Sequence, residues 1–224
     1  MKWEHFWDVQ ANNSDQASQV GRISRQGKAL PLTELAQYIT QTLELHPSDT
    51  LLDVCCGNGA LSWLLAQKVG DFTGVDLSAK QIERAKQSYP SGKWKQLAAE
   101  NLGDLNQCFS KITLNFSFQY FTSNRQALAV LYALRQCSQT DTRILITDIP
   151  DAACWHLYYP DSTSRLRWLL HKLMGKENMG KFWRQQKLAE LCRKAGFEAS
   201  FMRQPHHFPY AWYRFDCLLK PLKS

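Results

Sequence analysis

The sequence predicts a doubly wound α/β fold, and three observations carry that reading. Between residues 31 and 150, apolar runs of strand length alternate with runs whose apolar residues recur at helical spacing. That alternation is the pattern of parallel strands joined by right-handed crossovers, with helices on both faces of the sheet. The first such strand runs straight into Gly57-Asn58-Gly59 and then a helix, a turn with no Cβ in the way. Finally, 224 residues at 44% hydrophobic are enough for one core, so one domain over residues 1–224 is expected.

The elements follow in order. Residues 1–30 read as an N-terminal cap, with Trp3, Phe6 and Trp7 clustered ahead of a polar loop or short helix. Residues 31–150 are the core. In "LTELAQYITQTLEL", Leu32, Leu35, Ile39 and Leu43 share a helix face, and His46-Pro47-Ser48 ends it. The strand "TLLDVC", a helix over 60–68 stopped by Gly70, and the strand "FTGVD" come next. Ser78 is placed to cap the helix in "LSAKQIERAKQSY". A third strand over 93–97, a fourth in "KITLNFSFQYF", the helix "RQALAVLYALRQC" and the fifth strand "TRILITDI" complete the alternation.

Residues 151–181 break the pattern and read as a lid or acceptor insert. They are aromatic and basic, and in "STSRLRWLLHKLM" the residues Leu166, Leu169, Leu170 and Leu173 share one face. That stripe is expected to be core or lid packing rather than a membrane surface. Residues 182–224 hold a last helix closed by Gly196 and the strands "FEASFMRQ" and "WYRFDCLLK", a hairpin at the sheet edge.

Composition excludes several classes. No apolar run reaches the roughly 18 residues of a membrane span, and "MKWEHFWDVQ" lacks the apolar core of a secretory signal, so a cytoplasmic protein is expected. Seven scattered cysteines, none in CxxC spacing, read as reduced packing residues, and no metal site is expected. The formal charge of +7 is uneven: residues 1–150 carry 14 Lys and Arg against 14 Asp and Glu, whereas 151–224 carry 13 against 6. The basic third would attract anions.

The glycine turn carries the chemistry. A ligand can approach its backbone closely, and the helix behind it points free N–H groups at the ligand. Asp76 ends the next strand 19 residues after Gly57, where a carboxylate accepts both hydroxyls of a ribose. Nicotinamide and flavin enzymes want a third glycine, GxGxxG, where this chain has Ser62. Asp53, ahead of the turn, would repel a pyrophosphate and suits a cofactor carrying an ammonium.

Together "LLDVCCGNG", "FTGVDLSAKQIERAK", "LAAENLGDL" and "ITLNFSFQYF" resemble the class I S-adenosylmethionine-dependent methyltransferases over about residues 30–150. The resemblance implies a Rossmann-like seven-stranded, mostly parallel sheet with an antiparallel C-terminal edge strand, and S-adenosyl-L-methionine (SAM) as cofactor. It implies that Asp53, Val54 and the backbone around Cys55, Gly57 and Gly59 hold the methionine half. Asp76 would hold the ribose and Leu77 would pack on adenine. Asn115 and Phe116 would lie near the transferable methyl. Ala98 and Ala99 stand where the family often has an acid and a small residue, so Ala99, Glu100 and Asn101 are the adenine-side candidates, with backbone or water as alternatives. Arg22 is placed to reach the methionine carboxylate.

The methyl donor is already activated, so alignment matters more than a universal catalytic group. The candidates for removing an acceptor proton are Tyr120, Asp148, His156 and the pair His206 and His207. The acceptor expected is oxygen or nitrogen of a small or medium metabolite, an anionic one such as a nucleotide-linked sugar included. Nucleic acid is less favoured, because "NFSFQ" is not the Asn/Asp-Pro-Pro-aromatic sequence of base-amine methyltransferases. An RNA methyltransferase and a non-catalytic SAM-binding protein are the alternatives, and oligomeric state is not legible.

Overall fold

A computed structural model describes residues 3–13, 30–176 and 179–223. Strands β1 (Thr50–Val54), β2 (Asp71–Asp76), β3 (Trp94–Gln96), β4 (Phe109–Asn115), β5 (Ser138–Pro150), β6 (Phe197–Arg203) and β7 (Arg214–Pro221) form one seven-stranded sheet in the order β3-β2-β1-β4-β5-β7-β6. The first five pair in parallel. The C-terminal hairpin closes one edge: antiparallel β7 pairs with β5 and places β6 outermost.

The central strands are buried on both faces, as a parallel sheet covered by helices requires. In β1, Leu52 and Val54 face one side and Leu51 the other. On the first side lie α5 (Asn124–Gln136), through Val130 and Leu134, and α8 (Gln185–Lys194), through Leu188 and Cys192. On the second lie α2 (Leu32–Leu43), α3 (Ala60–Ala66) and α4 (Ala79–Ser88), through Ile39, Leu65 and Ile82. Ahead of them runs α1 (Trp3–Asn13), and between β5 and α8 lie the short α6 (Trp155–Tyr158) and α7 (Ser162–Leu173).

The fourth strand is shorter than its aromatic content suggests. It stops at Asn115 because Phe116 takes left-handed backbone, φ 53°. The Ser117 hydroxyl donates back to Asn115 O at 2.6 Å and Gln119 Nε2 donates to Phe116 O at 2.9 Å. Phe118 then turns inward, 5.3 Å from the Trp183 ring. The fifth strand is longer than expected and bulges against β7 between Ile146 and Ile149, where Asp148 has φ 61°.

Trp94 fixes the sheet edge nearest the glycine turn. Its indole fills space that only glycine leaves open: a Cβ on Gly59 would lie 2.7 Å from the ring, and one on Gly74 2.5 Å. Gly74→Ala is therefore expected to cost about 1–3 kcal/mol of stability through overpacking, read as a lower urea midpoint. An unchanged midpoint would show that the ring moves aside freely.

Candidate active site

The site is built where β1 ends. Cys55 takes φ 60°, Gly57 φ 56° and Gly59 φ 79°, so the chain reverses tightly before α3. A cysteine held in left-handed backbone is uncommon, and such conformations cluster where ligands are gripped. The Asn58 side chain accepts the Ala60 N–H at 3.1 Å, and Cys56 N–H donates to Val75 O at 3.0 Å. A Cβ on Gly57 would meet nothing within 4 Å, so that face of the turn is open to a ligand. Burial pushes both the Cys55 and Cys56 thiols well up, which keeps them protonated packing groups.

Two buried carboxylates flank the turn. Asp76 is held by backbone at both oxygens: Oδ2 accepts Gly57 N–H at 2.9 Å and Oδ1 accepts Ser78 N–H at 2.9 Å. Burial nevertheless raises its pKa, against those two hydrogen bonds. Asp53 accepts the Ser62 hydroxyl at Oδ2, while its Oδ1 is buried without a partner. Burial pushes Asp53 up to about 7, the nearby Asp76 charge adds to this, and Ser62 and Asn115 oppose it. Asn58 Nδ2 and Gln81 Oε1 are likewise buried without partners.

These groups enclose a cavity of about 340 Å³. Among the described residues that line it, the charged ones are Asp53, Asp76 and Glu100, with no Lys, Arg or His. Glu100 Oε1 accepts Gln126 Nε2 at 2.7 Å. The roof is aromatic: Trp3 and Trp7 on α1 meet Tyr120, with ring centroids 4.4 and 5.5 Å apart. Helix α1 is tied down by the Ser78 hydroxyl donating to Asp8 and the Arg84 guanidinium donating to Ala11 O.

A cavity walled by acids, with a free face of backbone and an acid ending the second strand, fits an adenosine that carries positive charge. The family described as "Methyltransferase domain" matches residues 26–200. The chain belongs to the class I SAM-dependent methyltransferases. It is 34% identical over 104 residues to the 2-phytyl-1,4-naphtoquinone methyltransferase of Thermosynechococcus vestitus, covering 44% of this chain and 46% of that one. It is 33% identical over 90 residues to the malonyl-[acyl-carrier protein] O-methyltransferase of Anoxybacillus flavithermus, covering 39% and 35%. The match thus spans less than half the length of these curated relatives. The fold resembles that of magnesium protoporphyrin IX methyltransferase from Synechocystis PCC 6803 with bound S-adenosylhomocysteine, at TM-score 0.64, 16% identity, and coverage of 98% of this chain and 94% of that one.

Within this member of the family, most sequence-predicted residues converge. Asp53, Cys55, Gly57, Asp76, Leu77, Ala99, Glu100, Asn115 and Phe116 line the cavity. Val54 does not: its side chain is wholly buried in the core, leaving only its backbone near the turn. Gly59 packs against Trp94 instead of the cavity, and Asn101 is exposed outside it. Arg22 lies outside the described residues. Of the proton-removal candidates, Tyr120 alone is on the cavity wall, and His206 and His207 are exposed outside it. His156 is exposed on α6, and Asp148 is buried away from the cavity, accepting Gln204 Nε2 at 3.0 Å. Sequence reasoning missed Asn58, Gln81 and Gln126. Gln81 had a legible signal, being polar beside Ile82 and Ala85 on the buried side of α4.

Two tests follow from the carboxylates. Asp76→Ala is expected to weaken SAM binding by about two orders of magnitude, the worth of two charge-assisted hydrogen bonds, measured by equilibrium dialysis. Unaltered affinity in the folded variant would remove Asp76 from the ribose site. Asp53 supplies a pH dependence. Its folded pKa of about 7 lies above the ordinary 3.8, so its ionisation costs the ligand-free protein stability as pH rises through that window. A cationic ligand needs the ionised form, so SAM affinity is expected to rise about 25-fold between about pH 5.5 and 7.5. Asp53→Asn should flatten that rise and remove the stability loss; an equally steep rise in the variant would contradict the assignment.

Proposed function

We propose that this chain transfers the methyl group of SAM to a small, ring-bearing acceptor, at oxygen, nitrogen or an activated ring carbon. The observation that carries the reading is the cavity itself, whose charged lining is wholly acidic among the described residues and whose roof is wholly aromatic. Acids favour a cofactor with a sulfonium and an ammonium over a dinucleotide pyrophosphate. Aromatic walls favour a flat acceptor. The relatives named for a naphthoquinone and for malonyl-[acyl-carrier protein] point to acceptors other than nucleic acid.

Bound in this cavity, SAM supplies an activated methyl group, so the protein's work is placement. Asp76 holds the ribose end with an orientation set by Gly57 and Ser78. Asp53 Oδ1, Asn58 Nδ2 and Gln81 Oε1 are buried groups that a polar ligand would satisfy, which makes the site complementary to one. Trp3, Trp7 and Tyr120 exclude water, which strengthens the attraction between the acids and a cation. Phe116 stands beside Asn115 at the end of β4, where the acceptor meets the methyl. Tyr120 relays the acceptor proton: its oxygen accepts that proton while its own hydroxyl proton passes to solvent at the half-buried rim of the cavity.

Incubation with methyl-labelled SAM and a panel of quinols, phenols, amino sugars and total RNA tests the acceptor class. Labelled product from ring acceptors is expected, and label in nucleic acid alone would contradict it. Tyr120→Phe is expected to lower kcat by about 100-fold while SAM affinity changes less than about twofold. Unchanged kcat would confine Tyr120 to the cavity wall.

A further inference from the structure

Helix α7 is amphipathic with its apolar face turned outward. On a helix turning by about 100° per residue, Leu166, Leu169, Leu170 and Leu173 fall within a sector of about 100°. All four are exposed, Leu173 by 75% and Leu166 by 58%. Met174, just past the helix end, and Leu157 on α6 are exposed as well. The helix is held to the protein from the opposite side, by Trp168, whose ring lies 5.5 Å from Trp155 and 6.0 Å from Tyr159. The stripe that the sequence suggested would be packing is therefore a bare surface.

Its borders carry charge of one sign. Arg167 lies on one flank of the leucine sector; on the other, Arg165 donates to Tyr159 O at 2.9 Å and lies over the Trp155 ring, and Lys172 lies over the Trp168 ring with its ammonium 4.9 Å from the centroid. Over residues 155–176 there are four Lys and Arg against a single acid, Asp161. That acid is occupied as the α7 N-cap, accepting the Ser164 N–H at 2.7 Å. Leucines framed by basic side chains are the arrangement of a helix lying in the headgroup region of an anionic bilayer, where the apolar face enters and the cations stay at the phosphates. No helix among the described residues is long and apolar enough to cross a membrane.

We propose that α7 docks this protein onto the surface of an anionic lipid bilayer. The helix is also joined to the cavity. Trp168 meets Tyr159, Tyr159 meets Tyr158 at 4.8 Å, and Tyr158 meets Tyr213 at 5.0 Å. The Arg214 guanidinium lies 5.0 Å from the Tyr213 ring and 4.4 Å from that of Phe116, which lines the cavity. An aromatic path thus leads from the docking face to the acceptor end of the site. The proposal concerns the surface and holds whatever atom is methylated.

Vesicle flotation of the full chain tests it, with phosphatidylcholine alone and with about one third phosphatidylglycerol. The chain is expected to float with the anionic vesicles, to stay behind with the neutral ones, and to be released by about 0.5 M salt. The double variant Leu169→Glu with Leu173→Glu should lose more than about tenfold in partition while binding SAM unchanged. Failure of the wild type to float with anionic vesicles, or undiminished flotation of the variant, would overturn the proposal. So would sedimentation showing that the leucine face closes a dimer which the same substitutions dissolve.

Discussion

The carboxylate of Asp76 is the tie on which the site depends. One oxygen holds Gly57 in the turn after β1, and the other holds Ser78 at the start of α4. One side chain thereby sets the distance between two crossovers that are separate in sequence. Ser78 extends the tie: besides donating its N–H to the Asp76 carboxylate, it accepts the Gln81 N–H at 3.2 Å as the cap of α4 and donates its hydroxyl to Asp8 on α1. The roof tryptophans therefore hang from the same few bonds that shape the floor.

Holding such a carboxylate under cover costs solvation energy, and the structure bears that cost twice. Asp53 and Asp76 bear it at the cavity, where a cationic ligand would relieve it. Asp216 bears it behind the cavity, pushed up to about 6 by burial and by the charge of Asp148. Asp216 accepts the Tyr38 hydroxyl at 2.7 Å and Gln204 Nε2 at 2.8 Å, and it receives the Asp148 N–H at 2.8 Å. This second cluster stitches α2 to β7 and holds the bulge in β5. Arg214, bonded to the Asp148 carbonyl, then covers the Phe116 ring. Asp148 accordingly supports the Phe116 wall of the cavity from behind.

The alternation of strand and helix, the turn at Gly57 and the acid at Asp76 were legible because each follows from local periodicity or a fixed spacing. The C-terminal hairpin was legible as a pair, while the insertion of β7 inside β6 depends on which strand pairs with β5, a choice made by tertiary contact. Phe116 to Tyr120 read as strand from their aromatic content, but buried contacts of Phe118 with Trp183, distant in sequence, bend them inward. Gln126 could not be foreseen, since its link to Glu100 spans 26 residues with no motif. The leucine stripe of α7 was visible as periodicity, and periodicity alone does not say which way a helix faces. Trp168 settles that by packing on Trp155 and Tyr159.

The central claim is that an acid-lined cavity selects a positively charged adenosine cofactor. Calorimetric titration with SAM, with NAD and NADP alongside, tests it most directly. Micromolar binding of SAM with no heat from either dinucleotide is the result this account predicts. Binding of a dinucleotide in its place would contradict it, because Asp53 and Asp76 would then face a pyrophosphate of their own sign.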